Sequence, residues 1–308
     1  MSADIGLFYH KLFFRHGVEG HPENARRLTA ILDHLLDTGW LGRLVRTEFS
    51  AASPEQVTWL HDAGYVEDLH LISQQGGGYL DLDTVATAET YEAALMAAGA
   101  SMTAAEQVLA GKLRAALALV RPPGHHARAS QGMGFCFFNN AALAAEAALR
   151  AGAERVAILD WDCHHGNGTQ ELFYNRADVL YLSIHQAYTP GGGGLFYPGT
   201  GTLDEYGVDE GRGTTVNVPL PGAATDRDYL AAFDLVLLPA LRQYRPELVI
   251  VSAGYDAHHA DPLGQMLLSA PGFHAMSELL VEATRQVESA GPVLILEGGY
   301  DLRGLAYG

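Results

Sequence analysis

The chain has 308 residues, 48% of them apolar and only 18% charged. That supplies apolar material for a large core and too few charges for a disordered or coiled-coil chain. The formal net charge of −17 disfavours direct contact with nucleic-acid phosphate and suits basic partners such as lysine side chains or polyamines, although acidity that only keeps a protein soluble looks the same. In chain order, residues 5–9 read as a short buried strand and 22–38 as a helix. A helical pattern rich in alanine follows at 88–110, then an apolar strand at 115–120 and a helix at 140–151. Strands at 156–162, 179–185 and 214–220 come next, then a helix at 226–243, a strand at 248–256, a helix at 272–289 and a last strand at 293–297. Continuous apolar runs of this length suit strands buried on both faces. Their alternation with helices predicts an α/β fold with a parallel sheet between helical layers. No Pro/Gly/Ser linker or charge run divides the chain, so one domain over residues 1–308 is expected. Glycine clusters at 75–78 and 191–194 mark loops. The second leads into LFYPGTG at 195–201, either as a loop beside a site or as an ordinary surface turn.

Polar residues collect where the strands end. Open α/β sheets bind ligands beyond the carboxyl ends of their strands. In ILDWDCHHGNG at 158–168, side chains on an extended segment alternate. Asp160, Asp162 and His164 would face one way, and Trp161 and Cys163 the other. A carboxylate and an imidazole two residues apart can share a metal, and a catalytic zinc uses three protein ligands plus water. Asp256, at the end of another strand, is the best third ligand, and Cys163 reads as core. Any one of these groups alone would more often be a cap or a satisfied polar group. Three together need a cation or several donors, because buried unpaired carboxylates are costly.

In RPPGHHA at 121–127, one of the adjacent His125 and His126 could take a proton from water and return it to a leaving amine. Asp160 and Asn167 are available to orient them, and a carboxylate raises a histidine's pKa more than an amide does, so the two should differ in basicity. Tyr300 follows two glycines after the last strand, where its phenol could serve an oxyanion or simply fill a core. The chain has 2 cysteines, too few for a disulfide framework, so a reducing compartment is expected. No basic-then-apolar start and no apolar window of membrane length is evident, which makes a soluble cytoplasmic protein the expectation.

RPPGHHA at 121–127, GFCFFNN at 134–140, LDWDCHHGNGTQ at 159–170, SAGYDA at 252–257 and LEGGY at 296–300, with HPENARRL at 21–28 and YPGTG at 197–201, resemble the histone deacetylase superfamily. That family includes acetylpolyamine amidohydrolases and acetoin-utilisation proteins. The resemblance implies a three-layer arginase-like α/β fold with a mostly parallel eight-stranded sheet. It implies one zinc per chain on Asp162, His164 and Asp256, with ferrous iron an alternative on N/O ligands. It makes His126 the general base and acid, oriented by Asn167, and His125 its electrostatic partner, paired with Asp160. Asn at 167 points to the class II-like branch. Tyr300 would stabilise the oxyanion.

A structural potassium is implied on the Asp160 side chain, the Asp162 and His164 carbonyls and the region of Ser183 and Ile184. An acyl tunnel is implied between Phe135 and Tyr197, with Gly134 at its wall, Leu263 beside it and Asp83 clamping substrate at the rim. Leu263, where polyamine-selective relatives can carry glutamate, favours acyl-lysine in a peptide or protein over an acetylated polyamine. Hydroxamate-type inhibitors and a homo-oligomer are further implications. The chain ends at Gly308, soon after Tyr300, where relatives usually continue with another helix. An arginase-like ureohydrolase would need more aspartates for two manganese ions, and a catalytically silent acyl-lysine-binding module would have lost a ligand, the histidines or the tyrosine.

Overall fold

The computed structural model describes residues 4–189 and 194–308, so most of the glycine cluster at 191–194 lies outside the described residues. Among the described residues ten strands form: β1 (Ile5–Phe8), β2 (Val45–Arg46), β3 (Gly77–Tyr79), β4 (Val85–Thr87), β5 (Ala115–Ala118), β6 (Val156–Asp160), β7 (Val179–Tyr188), β8 (Thr215–Pro221), β9 (Leu248–Ala253) and β10 (Ala290–Leu296). Eight of them make one sheet in the order β2-β1-β5-β10-β9-β6-β7-β8, while β3 and β4 pair as a small antiparallel hairpin. Every neighbouring pair in the large sheet is parallel.

The central strands β6, β7 and β9 are buried on both faces, and their side chains alternate between two apolar layers. Val156 and Ile158 join one layer with Val179, Tyr181, Leu248 and Ile250, under helices Arg26–Asp37, Thr90–Leu109 and Asn140–Arg150. Ala157, Leu159, Leu180, Leu182, Val249 and Val251 join the other, under helices Asp226–Ala232, Leu238–Tyr244 and Ala270–Gln286. Trp161 and Cys163 continue the second layer, as the alternation requires.

Three sequence expectations change. The expected strands at 156–162 and 248–256 end at Asp160 and Ala253, because the polar groups beyond them turn to bond one another instead of a neighbouring strand. The expected helix at 226–243 is broken by a π-turn at Phe233–Leu237, where the Leu238 N–H reaches back to the Phe233 carbonyl. Pro239 has no N–H to donate and its ring crowds the carbonyl one turn back, which the wider turn relieves. The two-residue β2 and the β3–β4 hairpin, which starts on two glycines, were too short and too weakly apolar to read as strands. No helix among the described residues is long and apolar enough to cross a membrane.

Gly99 sits mid-helix in Thr90–Leu109, against the chain at 50–52; a Cβ there would lie 2.0 Å from the Ser50 carbonyl oxygen and 2.6 Å from the Ala52 nitrogen. Helix propensity alone favours alanine by about 1 kcal/mol, but both neighbours are backbone and cannot swing away. Gly99→Ala should therefore lower stability by about 1–3 kcal/mol, read as a lower denaturant midpoint; an unchanged or higher midpoint would contradict this packing.

Candidate active site

The chemistry-bearing loops leave four strands that are neighbours in the sheet, β5, β10, β9 and β6. They converge on one crevice at the carboxyl ends of those strands.

Asp162, His164 and Asp256 meet at its base. His164 Nδ1 lies 3.1 Å from Asp162 Oδ1 and 3.0 Å from Asp256 Oδ2. Each carboxylate is fixed through its other oxygen: Asp162 Oδ2 accepts the Gly298 N–H at 2.8 Å, and Asp256 Oδ1 accepts the Cys163 N–H at 2.8 Å. Both aspartates are buried, and among the described residues their ion-pair partners are histidines, with no lysine or arginine in reach. Two buried carboxylates and an imidazole aimed at one point, without a lysine or arginine among the described residues, fit a divalent cation of the zinc type. Burial and the adjacent Asp162 carboxylate push Asp256 up to about 6. The Cys163 sulfur lies within the same cluster but packs into the apolar layer, and burial holds its thiol well above the ordinary value.

The two histidines of 121–127 stand beside this cluster with their rings 4.0 Å apart. His125 Nδ1 lies 3.0 Å from Asp160 Oδ2, which also accepts from the Tyr181 hydroxyl at 3.1 Å. His126 Nδ1 lies 2.8 Å from the Asn167 side-chain oxygen, which can only accept, so Nδ1 carries the proton and Nε2 is left with a free lone pair. Burial lowers His125, but the Asp162 and Asp160 carboxylates outweigh it and take the ring up to about 10. Burial lowers His126 well below its ordinary value, and the neighbouring His125 and His164 lower it further.

Tyr300 closes the crevice from the end of β10. Its ring stands edge-on to Phe135, with the centroids 5.8 Å apart, and the Arg27 guanidinium lies 5.1 Å from its centre. Burial holds the phenol well above its usual pKa, so it stays a donor. Tyr197 stands edge-on to His126 at 5.2 Å, and Phe196 stacks on His164 at 5.1 Å. Gly134 adopts φ +53°, and a Cβ there would meet the His126 ring at 2.4 Å. Asp83 is exposed beside Tyr197, raising its phenol by charge after burial has done so, and its carbonyl accepts from His21. Leu263 is half-buried on the loop after Asp256. Ser183 pairs with Asp160 in the β6–β7 register, with its hydroxyl 2.8 Å from His185 Nδ1, and Ile184 is fully buried next to it.

The sequence residues therefore come together, but they rest on groups whose roles the motifs alone did not disclose. Glu297 is buried, accepts the Gly124 and His125 N–H groups at 2.6 and 3.1 Å, and is pushed up to about 7 by burial. Arg27 donates to the Gly299 carbonyl at 2.7 Å and to the Glu297 carbonyl, and pairs with Glu23, which also binds Arg121. Glu23, Arg27, Arg121 and Glu297 all lie within the motifs at 21–28, 121–127 and 296–300, with no spacing to show what they touch.

Comparison with known proteins follows the same lines. A model of the histone deacetylase domain matches residues 21–308. A probable deacetylase of Archaeoglobus fulgidus is 39% identical over 302 residues, 97% of this chain and 82% of that protein. A histone deacetylase-like amidohydrolase of Pseudomonas aeruginosa is 43% identical over 281 residues, 91% of this chain and 71% of that protein. The crystal structure of the HDA15 HD domain superposes with a TM-score of 0.93 at 38% identity, covering 99% of this chain and 87% of that one.

The histidine loop is braced from behind by His61. Its Nδ1 donates to the Arg128 carbonyl at 2.9 Å, and its Nε2 accepts the Asn139 N–H at 3.0 Å. Asn139 in turn donates to the His125 and Ala127 carbonyls at 3.5 and 3.3 Å. The ring must be neutral to hold both bonds, and burial lowers its pKa to about 4. The unfolded chain binds this proton near pH 6.5. The bonds are thus fully stabilising above pH 6.5 and lose ground as pH falls from 6.5 towards 4, by roughly 3 kcal/mol at most. Stability measured between pH 7 and 4.5 should fall less steeply for His61→Gln than for wild type, by up to about one proton in the linkage slope; equal slopes would refute the neutral brace.

Proposed function

The chain belongs to the histone deacetylase family, and we propose that it hydrolyses the amide of acyl-lysine in proteins, with zinc held by Asp162, His164 and Asp256. The deacetylase or amidohydrolase class comes with the family. The observation that supports the metal is the convergence of two buried carboxylates and one imidazole with no lysine or arginine among the described residues to neutralise them. Zinc bound there would supply Lewis acidity, lowering the pKa of a water towards ~7 and polarising the acyl carbonyl.

The chain's own residues then divide the work. His126, neutral and with Nε2 free, takes the proton from the attacking water. The Tyr300 phenol, kept protonated, donates to the oxygen that gains charge as the carbonyl is attacked. His126 returns its proton to the departing amine. His125, charged against Asp160, stays out of the proton transfer and offsets the negative charge of the aspartates. Phe135 and Tyr197 flank the path to the cluster and suit the methylene stem of lysine, with Gly134 at the wall. Asp83 at the mouth suits a substrate backbone N–H or a basic neighbour, and apolar Leu263 gives a second ammonium nothing to bind, which favours acyl-lysine over an acylated polyamine. We assign a structural potassium to Asp160, the Asp162 and His164 carbonyls and the Ser183–Ile184 segment, and read residues 1–308 as one cytoplasmic catalytic domain that binds no nucleic acid.

An acetyl-lysine peptide and N-acetylputrescine, assayed side by side with and without chelator, test the reading. The peptide should turn over and the chelator should abolish it. Tyr300→Phe should lose on the order of 10²–10³ in kcat. Turnover of acetylputrescine alone would transfer the enzyme to polyamine substrates, and chelator-resistant turnover would remove the metal from the mechanism.

A further inference from the structure

The loop that carries Tyr300 has little stiffness of its own. It begins with Gly298 and Gly299, the latter at φ +117°, so the tyrosine's position has to be set from outside. One side is held by Arg27, which takes the carbonyls of Glu297 and Gly299. The other side is held by Asp261. One oxygen of this aspartate, Oδ2, accepts the Tyr300 N–H at 2.6 Å and the Asp301 N–H at 3.0 Å. The other, Oδ1, accepts the Leu263 N–H at 2.9 Å and the Gly264 N–H at 3.3 Å. The carboxylate is buried, at 8% exposure, and its own N–H is tied to the His258 carbonyl at 2.8 Å, in the turn that follows Asp256.

We propose that Asp261 is the positioning residue for Tyr300, fixing the oxyanion donor and the Leu263 loop to a single buried carboxylate. The assignment rests on Tyr300 being the oxyanion donor, as proposed above. A charged acceptor bonded to four backbone N–H groups is a stiffer anchor than water or a neutral side chain. It is also placed where stiffness matters, at the peptide of Tyr300 itself. Asp301, anchored by the same oxygen, then caps the helix Leu302–Tyr307 through the Gly304 N–H at 2.6 Å, so the chain is fixed on both sides of the tyrosine. Releasing Tyr300 by an ångström would move its hydroxyl off the reacting oxygen, while leaving the metal cluster and the histidines bonded as before. The same carboxylate ties this motion to the loop of Leu263, which makes the donor and one side of the substrate path move together or not at all.

The nearly isosteric Asp261→Asn separates these claims. Its oxygen can still accept on one side, while its NH2 faces N–H groups on the other and repels them. We expect kcat for the acetyl-lysine peptide to fall roughly 10- to 100-fold, with KM changing less than about fivefold. In the Tyr300→Phe background the same substitution should cost less than about threefold, because its effect passes through the hydroxyl already removed. Melting temperature and bound zinc are followed in parallel. If Asp261→Asn does not fold, Asp261→Glu, which keeps the charge and displaces the carboxylate by one methylene, takes its place in the cycle. An equal fold-loss in both backgrounds, or none in either, overturns the positioning role while leaving the proposed function intact. A wild type that is active but insensitive to Tyr300→Phe overturns the reading beneath it instead.

Discussion

Asp162 and Asp256 are both buried, and among the described residues neither has a lysine or arginine to meet its charge. Moving a carboxylate out of water costs several kcal/mol even after relaxation, so an arrangement with two of them side by side is stable only if something positive arrives or a proton is taken up. The strain shows in Asp256, pushed up to about 6 by burial and by its neighbour, and in His164, which the pair of aspartates drives up to about 10 against the pull of burial. The backbone makes the conflict permanent. Gly298 and Cys163 donate to the outer oxygens and leave the inner ones facing each other across His164. A cation there would remove the repulsion and free His164 to be a neutral ligand, and its binding would add to the folding free energy by joining the ends of β6 and β9.

Around that centre lies a second layer that is ionic and dry. Glu23 sits between Arg27 and Arg121, all three buried, and Arg27 passes the constraint to the carbonyls around Tyr300. Glu297 does the equivalent for the histidine turn from the opposite end of the same loop. Buried ion pairs of this kind contribute little net stability compared with apolar packing. Their value is geometric, because charge-assisted bonds to backbone groups fix loops that glycine and proline leave without side-chain packing of their own.

Legibility from sequence divides along that boundary. The seven longer strands were readable because each is an apolar run of strand length between helical patterns, and Asp160, Asp162 and His164 because they interrupt such a run. The alternation argument placed Trp161 and Cys163 in the opposite layer correctly, although the strand stops at Asp160 and the turn beyond it, not the pleat, brings Asp162 and His164 together. That Asp160 and Asn167 could orient the two histidines followed from residue type, while which partner each histidine takes came only from the family resemblance. Glu297, His61 and Asp261 were not readable as supports, since each bonds backbone N–H groups far along the chain or across a turn, and a backbone donor leaves no trace in residue identity. The β2 edge and the hairpin at 77–87 escaped for a different reason: two or three residues carry no period to detect.

The histidine pair shows how much one atom of a partner decides. His125 and His126 are adjacent, equally buried and within 4.0 Å of one another, so desolvation cannot distinguish them. Asp160 beside one and Asn167 beside the other can. The Asp162 charge together with the Asp160 carboxylate lets His125 hold a proton at neutral pH, and that charge then opposes a second one on His126, adding to burial. The Asn167 amide fixes the His126 tautomer and raises its pKa too little to offset burial and the neighbouring His125 and His164, which leaves a ring that is neutral at rest. Two identical side chains thus become one charged and one neutral ring, the division that the proposed roles of standing charge and transient base require. The division depends on the pair being dry, since water between the rings would screen the repulsion that separates them.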